Sequence, residues 1–273
     1  MSTIRLATSC IIPTKDRCRL VPHAVSSVLA QQVAVDEIIV VDDDSSDETV
    51  SVLQRQFPAV RIVSGSGEGP GLARHRGAAI ATGDILFFLD SDDRWLPHHV
   101  ARMLTVFSTG ASAAYARTEN RNLHDGSSFF LPELNHDHAA DCFTSLTRWC
   151  FLVPSALAVT REAYFAAGGF GAGSLAEDWQ FLLRLVQKTP FSFVDGEPSV
   201  IRFLHGDNLC SNCKAAEMQA AMLRIAEEAE GWPVPYHLAA PRFYQLAANA
   251  AAKKQDWTSV QTWYLQLKEE GLL

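Results

Sequence analysis

The residues best equipped for chemistry stand together at Asp90-Ser91-Asp92-Asp93, directly after the apolar run Leu86-Phe87-Phe88-Leu89. Three carboxylates within four positions repel one another, and a divalent cation is the simplest group that holds them together. A second acidic pair, Glu177-Asp178, opens an apolar helical pattern, where acids also serve the helix dipole. His205 follows the last apolar stretch, Val200–Leu204. Histidine serves metal binding, proton transfer and plain packing alike. The run Gly65-Ser66-Gly67-Glu68-Gly69-Pro70-Gly71 feeds a helical stretch bearing Arg74, His75 and Arg76. Such a loop receives phosphate at a helix start or simply makes a turn. Its spacing fits neither G-x-G-x-x-G nor a Walker loop, which excludes the dinucleotide and P-loop readings.

The elements that must position these residues follow from periodicity. Leu6–Pro13, Glu37–Val41, Val60–Val63 and the run ending at Leu89 read as strands. Helices are expected over Arg19–Gln32, from Ser45 onward, and over Leu72–Ala81. Ser45 with Glu48 forms a capping-box pattern. Alternating strand and helix predicts a parallel, Rossmann-like sheet, with ligands at the strands' C-terminal ends. Beyond this, Leu96–Thr109 reads as a helix, Ala111–Arg117 as a strand and Asn120–His138 as a hairpin or a loop over the site. Cys142–Phe151 and Arg161–Ala167 read as short helices flanking a strand at Ser155–Val159, followed by a helix over Ala176–Lys188 and a strand over Val200–Leu204. After residue 212 the chain turns alanine- and leucine-rich with helical spacing. The expected organisation is one domain over 1–212, divided at about residue 110, and a helical appendage over 213–273.

The 273 residues are 48% hydrophobic and 20% charged, with net charge −8 and pI ≈ 5.6. That is a globular composition without the basic stripe a nucleic-acid partner requires. No run reaches membrane-spanning length and no secretion signal is seen, so a cytoplasmic protein with reduced thiols is expected, with room for peripheral membrane contact. Cys210-Ser211-Asn212-Cys213 has zinc spacing but no second pair, and ordinary thiols are expected there.

In order and spacing, several stretches together resemble the inverting family 2 glycosyltransferases of GT-A fold. They stand here as CIIPTKDR, AVSSVLAQ, EIIVVDDDSSDET, GLARHRGAAIATGDILFFLDSDD, SALAVTREAYFAAGGF, AEDWQFLLRL and IRFLHGDNLCS. The resemblance covers roughly the first two hundred residues. It departs from the family pattern at His75, usually Asn, and at Asp44, usually Gly.

The resemblance implies a GT-A α/β sandwich with a mixed, mainly parallel sheet. It implies a nucleotide-sugar donor, UDP-linked by default, and a carbohydrate or glycoconjugate acceptor. Asp92 then reaches Mg²⁺ or Mn²⁺, and Asp90 lies near the ribose or the metal with Ser91 beside it. Asp178 is the base and Glu177 positions the acceptor or a loop. Pro13, Thr14 and Asp16 line the base and ribose pocket, Asp42 accepts from the base edge, and Arg74 contacts nucleotide or phosphate. His205 is a metal ligand or touches the diphosphate. Asp93 assists through water or caps the following helix. Arg202 pairs with phosphate or with Asp195 or Glu197. Gly169, in Gly168-Gly169-Phe170, lets backbone approach the sugar, or ends a helix. Trp179 is the aromatic most suited to the acceptor side. Two other readings compete. A haloacid-dehalogenase-like phosphatase also ends a strand with D-x-D, but there it is the first core strand, and Arg94 stands where Thr or Val is wanted. A non-catalytic sugar-nucleotide-binding protein is the other.

Overall fold

A computed structural model describes residues 5–132, 138–139, 141–148, 150–173, 175–206, 221 and 224. The first half alternates β1 (Thr8–Thr14), α1 (Val21–Leu29), β2 (Glu37–Asp42), α2 (Thr49–Gln56), β3 (Arg61–Ser64), α3 (Pro70–Ile80) and β4 (Ile85–Phe88). The two-residue β5 (Arg94–Trp95), α4 (His99–Phe107), β6 (Ala113–Ala116) and the hairpin β7 (Thr118–Asn122) and β8 (Ser128–Leu131) come next. The second half adds α5 (Cys142–Arg148), β9 (Leu157–Thr160), α6 (Arg161–Ala166), α7 (Glu177–Lys188), β10 (Phe191–Val194) and β11 (Val200–Leu204). The helices expected over 213–273, and Cys210 and Cys213, lie outside the described residues apart from Ala221 and Arg224. Cys10, Cys18 and Cys142 are free thiols.

Seven strands form the main sheet in the order β10-β6-β9-β4-β1-β2-β3. β9 runs antiparallel to both neighbours, and the other pairs are parallel. The chain leaves β1 toward β2 and β3 but returns to place β4 on the opposite side. Between β1 and β4 the winding therefore reverses, and their C-terminal ends open a crevice there. Period-two alternation explains the layers. Cys10, Ile12, Ile85 and Phe87 pack on one face with α1 and α4, while Ile11, Leu86 and Phe88 pack on the other with α3, α6 and α7. Four strands form a second sheet, β5-β11-β7-β8, whose β11 delivers side chains to the same crevice.

Three local expectations change. Ser45 does not cap α2: its hydroxyl accepts from the Asp16 amide at 2.9 Å, and the helix begins at Thr49 with no side-chain cap. α4 starts at His99 rather than Leu96, because the Gln31 side chain receives the Val100 amide and donates to the Leu96 carbonyl. β10 was not anticipated. Four residues directly after a helix end are too few to show a period, and its parallel pairing with β6 supplies the signal.

Candidate active site

A cleft of about 470 Å³ opens at the crevice. One end is built from the turn after β1. Pro13 and Thr14 are buried strand-end residues on the cleft wall, and Asp16 and Lys15 stand exposed at its rim. Asp16 holds a left-handed φ of 50°. Its carboxylate accepts from the Ser46 amide and hydroxyl, at 2.7 and 3.0 Å, which holds its pKa below the usual range. Asp16 thus bolts the β1 turn to the β2 turn. Asp42 lies 7% exposed, with one carboxylate oxygen on the Ser45 amide and the other buried without a hydrogen-bond partner. It stands behind the wall, and Asp43 is the residue that lines the cleft.

Asp43 was not singled out from sequence. Its carboxylate accepts from the amides of Gly67, Glu68 and Gly69, at 2.9, 3.3 and 2.8 Å. It therefore shapes the glycine-rich loop, in which Gly67 and Gly69 take φ of 72° and 98°. Asp44 adopts φ of 66°, the conformation for which the family pattern uses glycine.

The acids Asp90, Asp92 and Asp93 fall on the turn after β4. Asp90 and Ser91 line the cleft, and the Asp90 carboxylate pairs with Arg74. Asp92 lies 3.2 Å from the His205 Nε2, which β11 carries in from the second sheet. The carboxylate is a donor that suits Mg²⁺ or Mn²⁺, while an imidazole is a ligand common to many divalent metals. Among the described residues no three His, Cys, Asp or Glu side chains gather into a metal cluster. Asp93 faces inward at 2% exposure. It accepts from the Ser155 hydroxyl at 2.6 Å and the Phe203 amide at 3.3 Å, so it braces β4 against β9 and β11. Burial, with Asp90 and Asp92 nearby, pushes its pKa well up.

The opposite wall is the start of α7. Glu177 is 6% exposed and accepts from Arg74 Nη1 at 3.0 Å. Burial, then the neighbouring Asp178 charge, raises its pKa to about 7 against the pull of Arg74. Asp178 is half-buried on the cleft wall, with Oδ1 accepting from the Trp179 amide at 2.7 Å. Burial also raises its pKa, opposed by Arg74. Arg202 lines the cleft and exerts its charge on both Asp93 and Asp178. The carbonyls of Asp195 and Glu197 serve Arg102 instead.

Some candidates fall elsewhere. Gly169, with φ of 65°, does not line the cleft; a Cβ there would stand 2.5 Å from His75 Nδ1 and 2.8 Å from Tyr164. Its glycine serves packing, and its carbonyl accepts from Arg184 at 2.6 Å. His75 meets the Tyr164 hydroxyl at 3.3 Å. Trp179 is core, its indole N–H donating to the Leu146 carbonyl at 2.7 Å.

Sequence and structure comparisons agree with this geometry. The family described as glycosyl transferase family 2 matches residues 9–164. An uncharacterized glycosyltransferase of Nostoc sp. is 34% identical over 165 residues, 56% of this chain and 51% of that protein. The chain thus spans about half of that relative's length. S. aureus TarS 1-349 in complex with UDP-GlcNAc superposes with a TM-score of 0.68 and 17% identity, covering 90% of this chain and 71% of that one. The mannosyltransferase PcManGT from Pyrobaculum calidifontis, in complex with GDP-Man and Mn²⁺, gives 0.64 and 18%, covering 99% and 81%. These likenesses show the GT-A fold, and they displace the phosphatase reading, in which the acid-bearing strand comes first. With the strand-end crevice in place and the family pattern matched over residues 9–164, more than half of the chain, the chain belongs to glycosyl transferase family 2.

Proposed function

We propose that the chain transfers a glycosyl group from a nucleotide-diphosphate sugar to an acceptor hydroxyl by single displacement with inversion, Asp178 acting as base. One observation carries this reading: Asp178 and the Asp90–Asp92 turn line a single cleft. A donor diphosphate held at one wall would present its sugar to a hydroxyl activated at the other. Asp178 takes the hydroxyl proton as the oxygen attacks the anomeric carbon, and the nucleoside diphosphate leaves on the opposite side. General base help is worth about 10²–10⁴-fold. Burial keeps the carboxylate's basicity above the ordinary range, which suits that task.

Asp92 and His205 would hold Mn²⁺ or Mg²⁺, with Asp90 near the ribose. The bound ion supplies Lewis-acid stabilisation of the diphosphate leaving group. Pro13, Thr14 and Asp16 would hold nucleoside at the β1 turn. The neighbours' complexes contain UDP-GlcNAc and GDP-Man. UDP-sugars are the first donors to test, with a carbohydrate or glycoconjugate as acceptor. Among the described residues no helix is long and apolar enough to cross a membrane. Work on the donor in the cytoplasm fits this reading.

The test is nucleoside diphosphate release from UDP-, GDP-, CDP- and dTDP-sugars with Mn²⁺, with and without oligosaccharide acceptors. Asp178→Asn is expected to keep donor binding and to slow transfer by about 10²-fold or more. Transfer at the wild-type rate would remove Asp178 from the mechanism.

A further inference from the structure

We propose that Arg74 is a positioning residue for transfer: its guanidinium ties the start of α7 to the turn after β4, and so fixes the base relative to the donor acids across the cleft. The inference rests on the reading of Asp178 as base. Arg74 itself lines the cleft, beside both acid-bearing elements. It projects from α3 with a side chain 5% exposed, donating to Glu177 on one side at 3.0 Å and to Asp90 on the other at 2.5 Å. Its Nε is buried without a hydrogen-bond partner, and its guanidinium carbon lies 5.2 Å from the Phe170 ring centroid. Buried ion triads are poor sources of stability, and an unpaired buried donor makes this one poorer. What such a triad supplies is geometry, because the planar fork holds two carboxylates at a set distance and angle.

Two features of the backbone converge on the same spot. Gly71 lies on α3 one turn before Arg74. A Cβ at Gly71 would collide with the Gly171 carbonyl and stand 2.6 Å from the Glu177 Cγ, so α3 and the start of α7 are pressed together there. Ala176, immediately before Glu177, holds a left-handed φ of 59°. A non-glycine residue keeps that conformation only where its surroundings over-determine it. Glu177 is thus fixed by an ion pair, a close helix contact and a strained turn. Asp178 is its direct neighbour, so whatever sets Glu177 also sets the carboxylate facing the cleft. Each terminal nitrogen of Arg74 gives one hydrogen bond to these acids, and donor affinity is the readout that separates positioning from direct nucleotide contact.

The test compares Arg74→Lys, Arg74→Met, Asp178→Asn and the Arg74→Met/Asp178→Asn double variant in the full chain. Nucleoside diphosphate release is measured with the panel donor of fastest turnover, and donor affinity is measured by calorimetry. Arg74→Met is expected to lower kcat about 10²-fold, the scale of a misplaced reacting group, with donor affinity held within about fivefold. Arg74→Lys recovers part of kcat. In the Asp178→Asn background Arg74→Met adds a loss of less than about twofold, since the base it positions is already gone. A loss carried wholly by donor affinity would make Arg74 a nucleotide contact and overturn the proposal. Equal losses in both backgrounds would overturn it as well. Undiminished transfer by Asp178→Asn would instead strike the base assignment, which the Arg74 variants alone do not address. If Arg74→Met does not fold, Gly71→Ala displaces Glu177 with Arg74 intact. Wild-type kcat in that variant would sink the idea.

Discussion

At the residue scale, the acidic pair on α7 makes two opposite demands on pH. Burial raises both carboxyls above their ordinary range, Glu177 to about 7, with Arg74 limiting the rise. The two titrate as a coupled pair. A base must be ionised, so kcat/KM is expected to fall as pH drops through the raised pKa of Asp178. The acid limb should lie above the value of about 4 typical of a free carboxylate. A profile flat down to pH values near that ordinary range would contradict it. Stability runs the other way. A carboxyl whose pKa is raised in the folded state binds its proton more tightly there than in the unfolded chain. Its contribution is full below the unfolded pKa and is lost as pH rises through the folded one. Glu177→Gln keeps an acceptor for Arg74 but has no charge to desolvate. The melting temperature of Glu177→Gln relative to wild type should therefore climb between acidic pH and about pH 8, in the window set by the raised Glu177 pKa. A difference constant with pH would show that Glu177 does not titrate in that window.

At the element scale, the legible parts were those whose buried and polar residues follow a fixed period. β1, β2 and β4 are short apolar runs ending in polar or acidic residues, and their order alone predicts a parallel sheet with chemistry at one edge. The place of Asp90 and Asp92 at a strand end was legible for the same reason, whereas the role given to Asp178 came from the family resemblance, since acids in a helix's first turn otherwise read as capping. Partners far apart in sequence were not legible. Ser45 is engaged by the Asp16 amide 29 positions away, which no local capping pattern anticipates. Asp43 shows its part only when the glycine-rich loop folds over it, and Gly169 only when His75 and Tyr164 pack against it. The same long-range logic governs how α3 sits on the sheet. Gly77 faces β1 and β2, and a Cβ there would stand 2.5 Å from an Ile11 methyl and 3.1 Å from a Val41 methyl. Both belong to a buried core cluster with no space to yield. Gly77→Ala is therefore expected to destabilise by about 1–3 kcal/mol through overpacking, despite alanine's better helix propensity. Chemical denaturation reads this directly, and a stability gain would show that α3 can lift from the sheet at no cost.

At the scale of the whole molecule, the cleft is where the two sheets meet. Asp93 joins the β4 turn to the β11 backbone, and His205 approaches Asp92 from the second sheet. The acids after β4 are thus held partly by one sheet and partly by the other, and a ligand bound among them would add contacts on both sides. Binding to the folded state alone stabilises by mass action, about 2.7 kcal/mol at a ligand concentration one hundred times Kd. For a chain of this size that is a melting-temperature rise of about 5–10 °C. The expected pattern separates the roles proposed for the two walls. Wild type should show the rise with nucleotide sugar plus Mn²⁺ and much less of it with nucleotide sugar plus chelator. Asp92→Asn should lose the Mn²⁺-dependent part, because the carboxylate that would meet the ion is gone. Asp178→Asn should keep the full rise while transferring sugar at least about 10²-fold more slowly, because the proposed role of its carboxylate is on the acceptor and not on the donor. A chelator-insensitive rise in wild type would remove the metal from the donor site. A lost rise in Asp178→Asn would place that residue in donor binding instead.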